Sequence, residues 1–88
     1  MKIELHPQFK RSYKKRISID AKKIKKVAER LKLFEQDPTS PLLKDHSLTG
    51  EKSKLRAFSV TGDIRIVYQP DSDEGITLLD IGTHNQVY

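Results

Sequence analysis

Two runs of alternating apolar and polar residues in the last third of the chain constrain the fold most strongly. Residues 55–60 and 64–69 alternate as β-strands do, and the Thr61-Gly62-Asp63 segment between them suits a tight turn. A further apolar run at 76–81 follows an acidic stretch at 70–75, which we expect to be a second, mobile turn. The pattern therefore predicts a hairpin followed by a third antiparallel strand.

The N-terminal part of the chain has mainly helical periodicity. Residues 2–6 alternate like a short strand, Pro7 suits the first turn of a helix, and the Asp37-Pro38 pair ends a second helix. The order β-α-α-β-β-β predicts an α+β fold in which an antiparallel sheet packs on two N-terminal helices, with the first strand free to join a sheet edge. The apolar residues expected on the inner helix faces are Phe9, Tyr13, Ile17, Ile24, Val27, Ala28, Leu31 and Phe34.

The length and composition limit the kind of site that the chain can build. It has 88 residues, 35% of them hydrophobic, which predicts one domain over 1–88 with a thin core and any ligand in a shallow groove. There is no cysteine, so disulfides and thiolate metal sites are excluded. No apolar run approaches the roughly 18 residues of a membrane span. No secretion signal is recognisable either, and we therefore expect a cytoplasmic protein with no membrane partner.

Positive charge is concentrated in the N-terminal segment. Residues 1–36 contain twelve Lys or Arg against four Asp or Glu, whereas residues 37–88 contain five against eight. This asymmetry favours a polyanionic partner, most simply nucleic acid. An acidic protein would be attracted in the same way, and a charged helix face also serves solubility.

Two histidines lie in polar stretches that suit acid–base chemistry on RNA. Metal-independent RNA cleavage needs a base near the 2′-OH, a cation for the phosphorane and an acid for the leaving 5′-oxygen. Histidine titrates near neutral pH and can fill either proton-transfer role. His46 lies in the loop segment 44–50 and His84 follows the last strand, so each is either an exposed histidine or a catalytic one. His6, just before Pro7, is expected to be structural.

Charged and aromatic residues near these histidines complete the predicted site. Strand parity directs Arg65 to the open face of the sheet, where it either stabilises a phosphorane or pairs with Asp63 or Asp80. Asp63 is either a turn residue or a group that orients a histidine or acts as a base. Tyr88 is either a frayed end or a platform on which a splayed base stacks.

The remaining substrate contacts are predicted from two further cations. Lys44 lies in the polar loop, and Arg56 lies on a strand, although its direction stays open. The chain contains no glycine-rich phosphate loop or zinc-binding spacing, and we expect neither a cofactor nor a metal.

Several of these segments together resemble the RelE/ParE toxin superfamily, with the YafQ-type messenger-RNA interferases as the closest branch. They are Lys-Asp-His-Ser-Leu-Thr-Gly at 44–50, Gly-Asp-Ile-Arg-Ile-Val-Tyr at 62–68 and Ile-Gly-Thr-His at 81–84, together with Arg56 and Tyr88. The resemblance implies a RelE-like fold and a toxin that enters the ribosomal A site and cuts messenger RNA, thereby inhibiting translation. It also implies a cognate antitoxin that wraps the toxin and, in complex with it, binds operator DNA.

The resemblance also implies roles for individual residues. By motif, the catalytic residues are His46, Asp63, Arg65 and His84, and Tyr88 matches a terminal aromatic residue that is usually Phe. The chain departs from the YafQ pattern at Ser59, where YafQ-like members carry a further histidine; proton transfer must then rest on the other two histidines, or activity is weaker.

Two other functions therefore stay open. One is a ParE-like protein that inhibits a topoisomerase by binding alone, and the other is a degenerate toxin retained for antitoxin binding and operon control. The fold hosts each of them, but a pure binding protein would not need the four catalytic residues.

Overall fold

The computed structural model describes residues 1–72 and 74–88, so Asp73, within the turn expected at 70–75, lies outside the described residues. The predicted order β-α-α-β-β-β is confirmed with two additions, a two-residue strand and a short C-terminal helix. The elements are β1 (Ile3–Leu5), α1 (Pro7–Arg16), α2 (Ala21–Gln36), β2 (His46–Ser47), β3 (Arg56–Ser59), β4 (Ile64–Pro70), β5 (Ile76–Thr83) and α3 (His84–Val87).

The five strands form one sheet in the order β1-β5-β4-β3-β2. The first strand joins an edge, as the sequence allowed, and runs parallel to β5 with Ile3 opposite Ile76. Every other pair of neighbours is antiparallel, and the β4–β5 register shifts between Val67 and Tyr68. No helix in the described part of the chain is both long and apolar enough to cross a membrane.

Local sequence signals explain where the two long helices begin and end. Pro7 is the first residue of α1, and the His6 ring caps that helix by accepting the Gln8 N–H at 3.0 Å. The structural role predicted for His6 is therefore confirmed. Asp20 caps α2 in the same way, and α2 ends at Gln36 just before the Asp37-Pro38 pair.

The sheet separates two apolar layers. The larger layer, between helices and sheet, includes Phe9, Ile17, Val27, Phe34, Phe58, Ile64, Ile66, Tyr68 and Ile81. The smaller layer lies on the opposite face and consists of Ala57, Val67 and Val87 with Leu48 and Leu55. The isoleucines of β4 therefore face the helices, which puts Arg65 on the opposite face, as parity predicted. That face is not fully open, because α3 and the loop before β3 cover part of it.

Two residues expected on the buried face of α2 are exposed instead. Ile24 is 38% exposed, and Ala28 is exposed as well. They line a shallow apolar groove of about 350 Å³ between α1 and α2, where the two helices do not close on each other. The helical period identified the correct face, but Val27 and Phe34 are the residues of α2 that reach the core.

Candidate functional site

The two histidines predicted to carry chemistry lie on either side of Tyr88. The Tyr88 hydroxyl is 3.3 Å from Nε2 of His46, and the Tyr88 ring lies edge-on to His84 with 4.5 Å between centroids. All three line one open groove of about 410 Å³, which we call the histidine groove; its other lining residues are Ser47, Leu48, Thr49 and Lys52. Tyr88 is therefore held by both histidines, and the alternative of a frayed end is wrong.

The short helix α3 holds His84 at this groove. Thr83 and Gln86 form a capping box in which the Thr83 N–H donates to the Gln86 side chain at 2.8 Å. Val87 is buried against the sheet, in the smaller apolar layer. A helix of one turn is marginal by itself, so this tertiary contact fixes its place.

A backbone contact sets the tautomer of His46. Its Nδ1 lies 2.9 Å from the carbonyl oxygen of Lys44. A carbonyl oxygen only accepts hydrogen bonds, so Nδ1 carries the proton in the neutral ring and Nε2 keeps its lone pair. The basic nitrogen of His46 therefore points toward the Tyr88 hydroxyl.

A partly buried carboxylate ties the loop before β2 to the sheet. The Tyr68 hydroxyl lies 2.8 Å from both oxygens of Asp45, and Arg56 approaches the same carboxylate at 3.3 Å. Burial raises the pKa of Tyr68, and the hydrogen bond to Asp45 adds to that rise. Arg56 also donates to the Ser47 hydroxyl at 2.7 Å. Asp45 thus fastens the residue directly before His46.

Arg56, for which we predicted substrate binding, is a member of this hydrogen-bonded network. Burial lowers the pKa of Arg56, but its hydrogen bonds with Tyr68 and Asp45 outweigh burial and raise it. In the described structure Arg56 does not line the histidine groove. The sequence reasoning missed Asp45 and Tyr68 as members of the site. Tyr68 shares strand parity with Ile64 and Ile66 and so faces the core with them, and a buried hydroxyl needs a partner, which was a usable signal.

Arg65 points to the same face of the sheet but lines a different groove, of about 490 Å³, whose lining also includes Lys26 and Arg30 of α2. It pairs with neither carboxylate that the sequence offered, because its Nη1 makes only long contacts of 3.4 and 3.5 Å with the carbonyls of Gly62 and Asp63. Asp80 pairs with Arg16 instead. Burial raises the pKa of Tyr88, and the nearby Arg65 charge opposes that rise.

Asp63 and Lys44 have different surroundings from those expected. Asp63 is exposed in the hairpin turn, where its N–H donates to the Thr61 hydroxyl at 3.2 Å. Its carboxylate has no hydrogen bond or salt bridge within residues 1–72 and 74–88, and it does not line the histidine groove. Lys44 has left-handed backbone angles, with φ of 49°, and lines the same groove as Arg65. The structure thus brings His46, His84 and Tyr88 together, with Arg65 beside them and Asp63 apart.

Ser59 lies directly opposite Arg65 in the β3–β4 pair. A side chain at position 59 is therefore on the face that carries the site, next to the predicted phosphate ligand. Among residues 1–72 and 74–88, no group of three or more His, Asp or Glu side chains is placed to hold a metal ion.

Comparisons with known proteins identify close relatives of this fold. Residues 1–88 match the family described as "Bacterial toxin of type II toxin-antitoxin system, YafQ". A metal-bound toxin from Helicobacter pylori superimposes with a TM-score of 0.82 at 23% identity, covering 100% of this chain and 99% of that one. No curated protein sequence is significantly similar to the chain.

Two further solved structures have the same fold. The YafQ toxin in the DinJ-YafQ complex of E. coli has a TM-score of 0.79 at 23% identity, covering 98% of this chain and 96% of that one. A YoeB/ParE toxin from Agrobacterium tumefaciens has a TM-score of 0.75 at 20% identity, covering 96% and 99%. At these identities the likeness shows the fold, and the α+β fold predicted from the sequence is confirmed.

Proposed function

Because the chain belongs to the YafQ family of bacterial toxins of type II toxin–antitoxin systems, we propose that it is a ribosome-dependent endoribonuclease that cleaves messenger RNA and so inhibits translation. The observation that carries the proposal is the convergence of His46, His84 and Tyr88 on one open groove. Two groups able to exchange protons near neutral pH, with an arginine beside them, are the components that metal-independent phosphodiester cleavage needs.

The reaction begins at His46. Its Nε2 is the free basic nitrogen, because Nδ1 donates to the Lys44 carbonyl. It accepts the proton of the 2′-hydroxyl, and the 2′-oxygen then forms a bond to the adjacent phosphorus. Binding of the nucleotide displaces the Tyr88 hydroxyl from Nε2, which frees the Tyr88 ring to stack on a splayed base.

Arg65 and His84 act on the other side of the reacting phosphate. In the described structure the guanidinium of Arg65 makes long contacts to two carbonyls and lies close to Tyr88; once the nucleotide displaces Tyr88, it donates two hydrogen bonds to the phosphorane oxygens. Protonated His84 gives its proton to the 5′-oxygen as the P–O bond breaks. The products are a 2′,3′-cyclic phosphate and a 5′-hydroxyl. Lys44, which is exposed and lines the groove of Arg65, contacts the flanking RNA, and the catalytic role of Asp63 stays a prediction.

The test is primer extension on translated messenger RNA with purified variants. His46→Ala and His84→Ala should each slow cleavage by about 10²–10⁴-fold, because each removes a proton-transfer group. His6→Ala is the matched control, since His6 caps α1 outside the groove, and it should retain cleavage with a small loss of stability. A folded double variant lacking both His46 and His84 that still cuts at the wild-type rate would falsify the mechanism.

The partner that we propose is a cognate antitoxin, as in the E. coli complex that joins YafQ to DinJ. It covers the histidine groove or displaces α3 with a helix or an added strand, and the complex binds operator DNA through the antitoxin. Action on the ribosome places the protein in the cytoplasm. Co-expression of the adjacent open reading frame should restore growth and co-purify with the toxin; absence of both effects argues against the partner.

Ser59 favours a second candidate function, a weakened toxin retained for antitoxin binding and operon control. The YafQ-like histidine would lie opposite Arg65, where this chain has a hydroxyl that cannot act as a base near neutral pH. The cleavage assay separates the candidates. Antitoxin binding without measurable cleavage supports the weakened toxin, and growth arrest without cleavage supports topoisomerase inhibition.

A further inference from the structure

The groove that contains Arg65 gathers positive charge from three separate parts of the chain. Lys26 and Arg30 come from α2, Lys44 from the loop before β2, and Arg65 from β4. The hydroxyl-bearing residues Ser59 and Thr61 also line it, and no described Asp or Glu does. We call it the cationic groove. Protein surfaces usually mix charges of both signs, so a groove of one sign focuses field on an anionic ligand.

The four cations are held in the groove without carboxylate partners. None of them forms a salt bridge within the described residues, where the pairs are Lys2–Glu4, Arg16–Asp80 and Arg56–Asp45. Arg30 is positioned by a 2.7 Å hydrogen bond to the Leu42 carbonyl, which also fixes the loop. The repulsion among these groups is relieved when an anion enters, which favours binding of a ligand with several negative charges.

The two grooves share no lining residue, but two residues of the cationic groove act on residues of the histidine groove. The Lys44 carbonyl holds the His46 ring, while the Lys44 side chain lines the cationic groove. Arg65 lines the cationic groove and its charge acts on Tyr88, which lines the histidine groove. An RNA chain whose reacting phosphate lies near His46 would therefore continue past Arg65 toward α2.

We propose that the cationic groove binds the backbone phosphates of the RNA strand flanking the cleaved nucleotide, with Lys26 and Arg30 as the distal contacts. The inference rests on the proposed function for the position of the cut, and it assigns substrate affinity to residues of α2. Contacts to phosphates position the strand and read no sequence. The groove thus adds affinity for messenger RNA of any sequence, and residues outside the groove recognise the base at the cut.

Two neighbouring lysines of α2 provide a matched test. Lys26 lines the groove, whereas Lys25 is exposed outside it. The probe is a fluorescent mixed-sequence RNA with 2′-O-methyl groups, which cannot be cut, titrated by anisotropy across a salt series. One lost phosphate contact lowers the salt slope by about 0.7 and the affinity about fivefold at 0.1 M salt. Lys26→Glu should show at least this loss, and Lys25→Glu should remain near the wild-type affinity.

Further measurements separate this inference from the proposed function. In the cleavage assay Lys26→Glu should raise KM, and Lys25→Glu should not. Equal losses of RNA affinity in both variants, or no binding by the wild type, overturn the cationic groove. The inference is also wrong if polyglutamate of equal charge competes for the groove as well as unlabelled RNA does. That result would assign the groove to an acidic protein segment. If the wild-type protein binds RNA through Lys26 but cuts no messenger RNA, the proposed ribonuclease activity is wrong and the cationic groove stands.

Discussion

Replacing Tyr68 with Phe removes a single hydroxyl from the network that holds the loop before His46. The ring itself should stay in place, because it packs against Phe34 and Phe58 at centroid distances of 5.2 and 5.8 Å. What is lost is the 2.8 Å hydrogen bond to the Asp45 carboxylate. The substitution therefore measures what the Tyr68 hydroxyl contributes to stability, through this bond and through its hydrogen bond with Arg56.

We expect Tyr68→Phe to lower the free energy of unfolding by about 1.5 kcal/mol. Hydrogen bonds to charged groups contribute about 1.5–3 kcal/mol. The lower end applies here because Arg56 still pairs with Asp45, whose side chain is 18% exposed and can bind water. For a domain of this size, such a loss lowers Tm by about 6–12 °C.

Urea denaturation followed by circular dichroism measures this difference. Tyr13→Phe is the matched control, since the Tyr13 hydroxyl makes no hydrogen bond in the described part of the chain. It should change the free energy of unfolding by less than about 0.5 kcal/mol. Equal losses in the two variants would mean that the bond to Asp45 contributes nothing.

The pH dependence provides a second and sharper readout. Burial and the bond to Asp45 raise the pKa of Tyr68 above its ordinary value of 10.0. The unfolded chain then loses this proton first, so the stability that the proton confers is complete below pH 10.0 and declines above it. The decline is about 1.4 kcal/mol per pH unit for one proton.

The variant Tyr68→Phe has no such proton and so shows no such decline. The free energies of unfolding of the variant and the wild type should therefore converge above about pH 10. Tyr88, whose pKa is also raised, titrates in both proteins and cancels in the comparison. A constant difference between about pH 8 and about pH 11 refutes the reasoning.

Three further predictions concern cleavage, measured by primer extension with circular dichroism as the folding control. Arg65→Ala should slow cleavage about 10²–10³-fold, and Arg65→Lys should recover only part of the loss because Lys cannot make the two-pronged contact; equal rates for the two variants would contradict that role. Ser59→His should raise the cleavage rate, because it puts a titratable ring opposite Arg65; an unchanged rate would show that the serine is not what limits the enzyme. Tyr88→Phe should keep cleavage at or above the wild-type rate, since it frees Nε2 of His46 and keeps the ring on His84, whereas Tyr88→Ala should slow it. The stacking role is wrong if both variants cut equally fast.

Elements with a strong local signal could be predicted from the sequence. The two long helices carry a proline or a capping residue at their start, and the hairpin carries a period of two, which correctly directed Arg65 away from the helices. The strand β2 has no such signal, and the helix α3 has only the capping box of Thr83 and Gln86 in a single turn. They exist because His46 pairs across to Ala57 and because Val87 is buried, and both are long-range contacts.

The candidate site follows the same rule: features with a local signal could be predicted, and long-range contacts could not. The chemistry of their side chains, and then the resemblance, selected His46, His84 and Tyr88, and the structure brings them together, but their spacing alone predicted no contact. The Asp45–Tyr68 bond joins residues far apart in the chain, so no local pattern reveals it. Asp63 was selected by motif, yet its exposed carboxylate makes no hydrogen bond or salt bridge within residues 1–72 and 74–88.

The parallel pairing of β1 with β5 determines when the protein can fold during its own synthesis. The partner of the first strand lies far along the chain, with Leu5 opposite Leu78. Until residue 83 has been made, the nascent chain lacks the complete strand β5, which lies between β1 and β4 in the sheet. Pairings between distant parts of a chain also form slowly. His84 and Tyr88 follow β5 in the chain, so a nascent chain that has not yet reached residue 88 carries no assembled histidine groove.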